Sequence, residues 1–313
     1  MRGTCLSIPL PNARRKFLSL LLCLFFLVGS CASPPHRSPA HSGQTSQENA
    51  LSALKEQYEL RLSDGPKTQE IHQSIFADFV GEGQSSPKPV LLFTAGPMGA
   101  GKTFVLEALA KAGYYEKERF ETVNPDLIEP KIPEYREFYS LAPEEAATIL
   151  HKESGQIADE LLERALKSGK DIIVDGSLRN AQWYQGEFQR IRREYPSYGI
   201  LILYTRASSS KILERIAHRA SDPKDGRFTP KELALRSLEE VEHSIEILRD
   251  YVDSTLTVDN EEKPFFESMY QKGKTRSLRI EIPTPNQASV SKPNPWIKKI
   301  MENPRAPIDH GRP

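Results

Sequence analysis

The sequence predicts an α/β protein whose parallel sheet is covered by helices on both faces. Three observations carry this. Short, almost continuous apolar runs alternate with longer stretches of helical spacing, the pattern of strands buried beneath crossover helices. The first run, Val90–Thr94, opens onto a Gly-rich loop and then a helix. The 24 prolines crowd toward the two ends, which leaves the middle of the chain as its globular part.

The elements follow in order. Residues 1–31 read as a secretory signal: Arg14-Arg15-Lys16, an apolar run from Phe17 to Val28, and the small residues Gly29-Ser30-Cys31-Ala32. The run is short for a membrane span of about 20 residues. Leu27-Val28-Gly29-Ser30-Cys31 also resembles a lipobox, in which the cysteine becomes a lipidated first residue. Either reading exports the body, membrane-attached or free. Residues 32–50 are rich in Ser, Pro, His and Gln and read as a flexible linker. Helical spacing appears over 51–80 through Leu51, Leu54, Tyr58, Leu60, Ile71, Ile75 and Phe79. Whether that segment is an intrinsic cap or an inhibitory one is open in the sequence.

Strands are expected at 90–94, 120–124, 171–174, 199–204 and 254–258. Helices are expected at 102–112, 143–168, 181–195, 208–220 and 231–251. The domain therefore spans 51–282, with its core at 89–260. The tail, 283–313, holds seven prolines and is expected to be mostly disordered.

Formal net charge is zero. Removing the four basic groups of residues 1–31 from 42 leaves 38 against 42 acidic, a net of −4. Such a body has no electrostatic case for nucleic acid. All three cysteines, Cys5, Cys23 and Cys31, lie in the signal, so the body has no disulfide framework or thiolate metal site.

The loop is Gly96-Pro97-Met98-Gly99-Ala100-Gly101-Lys102-Thr103, which fits the P-loop pattern between an apolar strand and a helix. Glycines let backbone N–H groups converge on phosphates, and the helix N-terminus adds positive potential. Lys102 then reaches the β- and γ-phosphates, and the Thr103 hydroxyl ligates Mg²⁺. This points to a P-loop NTPase/kinase fold that binds a nucleoside triphosphate. Asp126, past the second strand, reads equally as a base for an acceptor hydroxyl or as a helix cap. Asp175 ends an apolar strand, where an acid stands near Mg²⁺ or substrate, and Ser177 and Arg179 follow it. Arg215, Arg219 and Arg227 bracket a Gly- and Pro-hinged loop suited to closing over a transferring phosphoryl group. His151 lacks companions for metal binding.

Together these residues resemble the zeta-toxin family of P-loop kinases. The resemblance covers Pro89 to Asn260. It rests on Gly96–Thr103, Asn124-Pro125-Asp126 with Pro133-Glu134-Tyr135, Ile173–Arg179, the Arg215–Arg227 spacing and Val258-Asp259-Asn260. It implies transfer of the γ-phosphoryl group of ATP to a hydroxyl, which in the toxin members belongs to UDP-N-acetylglucosamine. It places Lys102 and Thr103 on ATP and Mg²⁺, Asp126 as base, and Arg215 and Arg227 as phosphate clamps. Asp159, Asp175, Ser177 and Arg179 fall at the acceptor site. Asp159 and Asp175 replace Glu of the toxins, Ser177 replaces Thr, and the export signal is a third departure; the acceptor is thereby left open. The competing expectation is an exported nucleotide-binding or interaction protein with weak or no transfer activity. An antitoxin-like partner is not assigned by the sequence, and membrane contact is expected only through residues 1–31.

Overall fold

The computed structural model describes residues 41–79, 85–221, 229–284 and 292–307. In chain order the elements are α1 (His41–Ser63), α2 (Gly65–Phe79), β1 (Val90–Ala95), α3 (Lys102–Lys111), β2 (Phe120–Val123), α4 (Pro125–Ile128), α5 (Tyr135–Leu141), α6 (Pro143–Ser168), β3 (Asp171–Val174), α7 (Ala181–Glu194), β4 (Gly199–Arg206), α8 (Ser209–Ser221), α9 (Lys231–Leu248), β5 (Ser254–Asp259), β6 (Phe265–Gln271), β7 (Lys274–Glu281) and α10 (Pro295–Glu302). Among the described residues no helix is long and apolar enough to cross a membrane.

The strands form one sheet in the order β2-β3-β1-β4-β5-β6-β7. The first five are parallel, and β6 and β7 add antiparallel. From β1 the chain crosses to β2, returns to β3, then continues on the other side at β4. The C-terminal end of β1 is therefore a topological switch point, where α/β sheets open a ligand crevice. Alternation along β1 divides the core. Leu91, Phe93 and Ala95 pack with α1, α2 and α4–α7, while Leu92 packs with α3 and α10. Helix α6 shows why the boundaries were readable: Pro143 starts it, Glu144 and Glu145 stand in its first turn, and Gly169 ends it at φ 69.

Three expectations are corrected. Residues 41–50, read as linker, are the first turns of α1. The segment 51–80 is two helices rather than one, and Leu60 is exposed. The tail read as disordered contains α10, whose Ile297, Ile300 and Met301 are buried. Asn294 caps this helix by accepting from Trp296 N and Ile297 N. Ile300 and Met301 follow Ile297 by three and four residues and share its face, so few apolar residues suffice to bury it. The strands β6 and β7 lie beyond the five expected. The signal and residues 32–40 lie outside the described residues.

Helices α1 and α2 dock through charge as well as apolar packing. Arg61 of α1 donates to Glu134 (2.6 Å) and Glu153 (2.7 Å). His72 of α2 lies 3.0 Å from the other oxygen of Glu153. The Glu153 side chain is fully buried. Burial pulls its pKa up, but the hydrogen bonds from His72 and Arg61 override that and hold it at about 2. The Tyr58 ring meets Phe138 edge-on at 5.4 Å.

Candidate functional site

The site is built from the segments that leave the C-terminal ends of β1, β2, β3 and β5. After Ala95 the chain turns at Gly96, whose N–H donates to the Ser177 carbonyl at 3.3 Å. Met98 N–H donates to Ser237 Oγ of α9 at 3.2 Å. Gly101 (φ 86) then caps α3 with no side-chain partner. A Cβ on Gly96 would stand 2.5 Å from the Thr205 carbonyl, and one on Gly101 would collide with the Asn260 amide. The loop is thus pressed against β4 and the end of β5, and only glycine fits at these contacts.

Two side chains hold the loop's carbonyls. Asn260 Nδ2 donates to Ala100 O at 2.8 Å. Arg215 donates to the same oxygen at 3.1 Å and to Asn260 O at 2.7 Å. Arg215, which the resemblance assigns to clamping phosphate, here braces the loop. With the Ala100 carbonyl tied back and no side chain capping α3, the N–H groups of the helix's first turn suit a phosphate chain.

Lys102 Nζ donates to Gly96 O at 3.1 Å, across the loop. Burial lowers its pKa, opposed first by Asp175 and then by Asp126; Arg219 and Arg179 lower it further. All four charges are felt at the amine. An arriving phosphate would reverse the shift. Asp175 is fixed at both oxygens: Thr94 Oγ1 donates to one at 2.6 Å and Asn124 Nδ2 to the other at 2.9 Å. Thr103 presents its side chain to solvent one residue after Lys102. A hydroxyl and a carboxylate beside a phosphate cradle are hard oxygen donors of the kind Mg²⁺ takes, with phosphate and water completing its shell. The residues fit both ATP and Mg²⁺.

Asp126 lies in α4, and the cap of that helix is Asn124, whose side chain accepts from Asp126 N at 2.8 Å. The capping role considered for Asp126 thus falls to its neighbour. The Asp126 carboxylate is exposed, and its charge is felt by Lys102 and by His151. His151 projects from α6, its pKa lowered by burial and by Arg179.

On the β3 flank, Leu178 is fully buried at φ 56. A left-handed leucine is rare and costs energy, here held in place by its packing. It separates Ser177, whose carbonyl takes Gly96 N–H, from Arg179, which reaches Glu240 at 3.9 Å. Tyr184 of α7 stands behind them. Burial and the Asp159 carboxylate push its pKa up to about 12. Asp159 itself is raised to about 6 by burial and by Glu187, with Arg190 opposing. The residue is exposed, so the packing that raises it surrounds the carboxylate without sealing it from water. Asp159 thus joins the cluster through its charge on Tyr184. Arg227 lies outside the described residues.

Sequence reasoning missed Thr94, Asn124, Asn260 and Tyr184 as builders of the site, and it did not carry Arg219 forward. The first three share a signal: each is polar and closes or immediately follows an apolar strand.

The family profile described as Zeta toxin matches residues 78–272. The solved PezAT toxin–antitoxin system of Streptococcus pneumoniae is 14% identical with a TM-score of 0.51, over 63% of this chain and 78% of that one. The AvrRxo1-ORF1:-ORF2 complex with ATP is 16% identical with a TM-score of 0.45, over 79% of this chain and 76% of that one. The calmodulin calcium-dependent NAD kinase of Arabidopsis thaliana is 26% identical over 150 residues, 41% of this chain. The match spans only 28% of that relative's length. The family profile covers the loop, both flanks of the crevice and most of the sheet, and the chain belongs to the Zeta toxin family, with a kinase-type function.

Proposed function

We propose that the protein is an ATP-dependent small-molecule kinase that transfers the γ-phosphoryl group to a hydroxyl of a nucleotide-bearing acceptor. What supports this is that Lys102 reaches across the phosphate loop to Gly96 O at 3.1 Å and that the charges of Asp175, Asp126, Arg219 and Arg179 all act on its amine. A protein that only held the nucleotide would need the loop and Lys102, but not a second, exposed carboxylate whose charge reaches the same amine.

The loop N–H groups and Lys102 bind and orient the β- and γ-phosphates. Thr103 and Asp175 would hold Mg²⁺, which would neutralise charge on the phosphates. Asp126 accepts the proton of the acceptor hydroxyl as its oxygen bonds to the γ-phosphorus and the bond to the β-phosphate oxygen breaks, leaving ADP. Arg219 and Arg227 stabilise charge on the moving group, and Arg215 keeps the loop in shape. Asp159, Ser177 and Arg179 line the acceptor side.

For the acceptor, the family likeness favours a nucleotide sugar such as UDP-N-acetylglucosamine. The NAD kinase relative supports a dinucleotide as a second reading, with a ribose hydroxyl as acceptor. The test is transfer from γ-labelled ATP to each compound. Labelled product names the acceptor, and release of phosphate alone favours a binding protein. Asp126→Asn is expected to bind ATP normally and to transfer nothing; unchanged turnover removes Asp126 from the role of base. The same reading places the kinase outside the cytosol, in a compartment or host cell that supplies ATP, on the strength of the signal-like residues 1–31.

A further inference from the structure

Four large apolar residues stand exposed among the described residues: Leu60, Phe104, Leu127 and Trp183. An exposed apolar side chain is ordinary by itself. Three of the four lie within four residues of site residues along the chain. Phe104 follows Thr103, Leu127 follows Asp126, and Trp183 lies four residues past Arg179, on the first turn of α7. A phosphoryl-transfer crevice rimmed this way calls for a ligand with a flat apolar part besides its charged one.

Trp183 is the residue built for that part. Its backbone N–H donates to Asn180 Oδ1, the cap of α7, at 3.1 Å. Its ring meets Tyr184 edge-on, centroids 4.7 Å apart at 89°. Tyr184 in turn meets Phe93 of β1 edge-on at 6.0 Å. Phe93 is buried in the core. The indole is therefore braced through two aromatic contacts to the central strand, yet it remains 39% exposed. A held ring with a wet surface can stack on a ligand at little further cost in side-chain freedom. It also lies on the flank that fits the acceptor. Trp183 follows β3, with Asp159 and Arg179 nearby through Tyr184. The braces Arg215 and Asn260 stand on the opposite side of β1, after β4 and β5.

We propose that Trp183 stacks on the nucleobase of the acceptor and so selects nucleotide-bearing hydroxyl compounds over simple sugar phosphates. This rests on the kinase reading above, and the experiment separates the two. The chain has two tryptophans; the other, Trp296, lies under the Arg276 guanidinium at 5.2 Å. In a Trp296→Phe background, emission reports Trp183 alone. With the donor site filled by a non-hydrolysable ATP analogue, UDP and NAD are titrated in turn, with N-acetylglucosamine 1-phosphate as the base-free probe. The expected result is saturable quenching by UDP or NAD and none by the sugar phosphate. Trp183→Leu is expected to raise the acceptor KM roughly tenfold or more, the scale of one base–aromatic stack, with kcat nearly kept. Trp183→Phe is expected to restore part of the loss. Absence of quenching by either nucleotide, or an acceptor KM unchanged in Trp183→Leu, overturns the stacking role. If the wild type transfers phosphate to nothing, the kinase reading falls while the emission titration still decides the stack.

Discussion

The Arg215 guanidinium donates to the Ala100 carbonyl at 3.1 Å, so this arginine belongs to the wall of the phosphate loop. Arg219, one turn further along α8, instead bears on the Lys102 amine. The two should separate on mutation. Arg215→Ala is expected to lower both the melting temperature and ATP affinity, because the loop loses its brace. Arg219→Ala is expected to keep the melting temperature and lower kcat by about a hundredfold, as loss of one charge-stabilising donor does. Thermal unfolding, ATP binding and single-turnover transfer on both variants provide the check.

The buried Glu153 makes stability depend on acid. Its folded pKa, about 2, lies below its ordinary value of 4.5. The stabilisation is therefore fully present above the ordinary value and is lost as pH falls toward the folded one. Its size is of the order of a few kcal/mol. Glu153→Ala leaves Arg61 with Glu134 alone and is expected to cost about 3 kcal/mol at neutral pH. Denaturant melts of both proteins between pH 7 and pH 3 should show the gap narrowing as acid removes the wild type's advantage. A gap that stays constant would mean that Glu153 is not the titrating group.

Helix α10 is a structural part of the domain. Ile297 is fully buried against the sheet and the β6–β7 hairpin. Ile297→Ala is expected to destabilise by about 2–5 kcal/mol, measured by urea unfolding. A surface residue of a loose tail would change stability by less than about 0.5 kcal/mol.

That helix also shows where legibility ended. The five parallel strands and α6 were plain, because apolar runs and Pro/Gly stops carry the signal locally. In the tail the three buried apolar residues of α10 sit among seven prolines, and composition outweighed spacing. The strand β7 carries Lys274, Arg276, Arg279 and Glu281, as an edge strand protected from further pairing does, so its sequence lacks the run that marked the others. In the site, the loop and its acids were legible as motifs. The role of Arg215 was not, because its partners are backbone carbonyls 115 and 45 residues away in sequence.

Export is tested at Cys31. If that cysteine carries a lipid, Cys31→Ser is expected to move the protein from the membrane fraction to the soluble one, with the kinase domain still folded. Membrane association that survives the change would point to a retained signal anchor.

The clamp between Arg61 and Glu153 joins residues 92 positions apart. During synthesis α1 and α2 emerge long before α6, and until α6 arrives Arg61 lacks Glu153, the buried half of its clamp. Loops of this length close late relative to local helices. The N-terminal pair therefore cannot complete its docking until α6 has been made, however early its own two helices form.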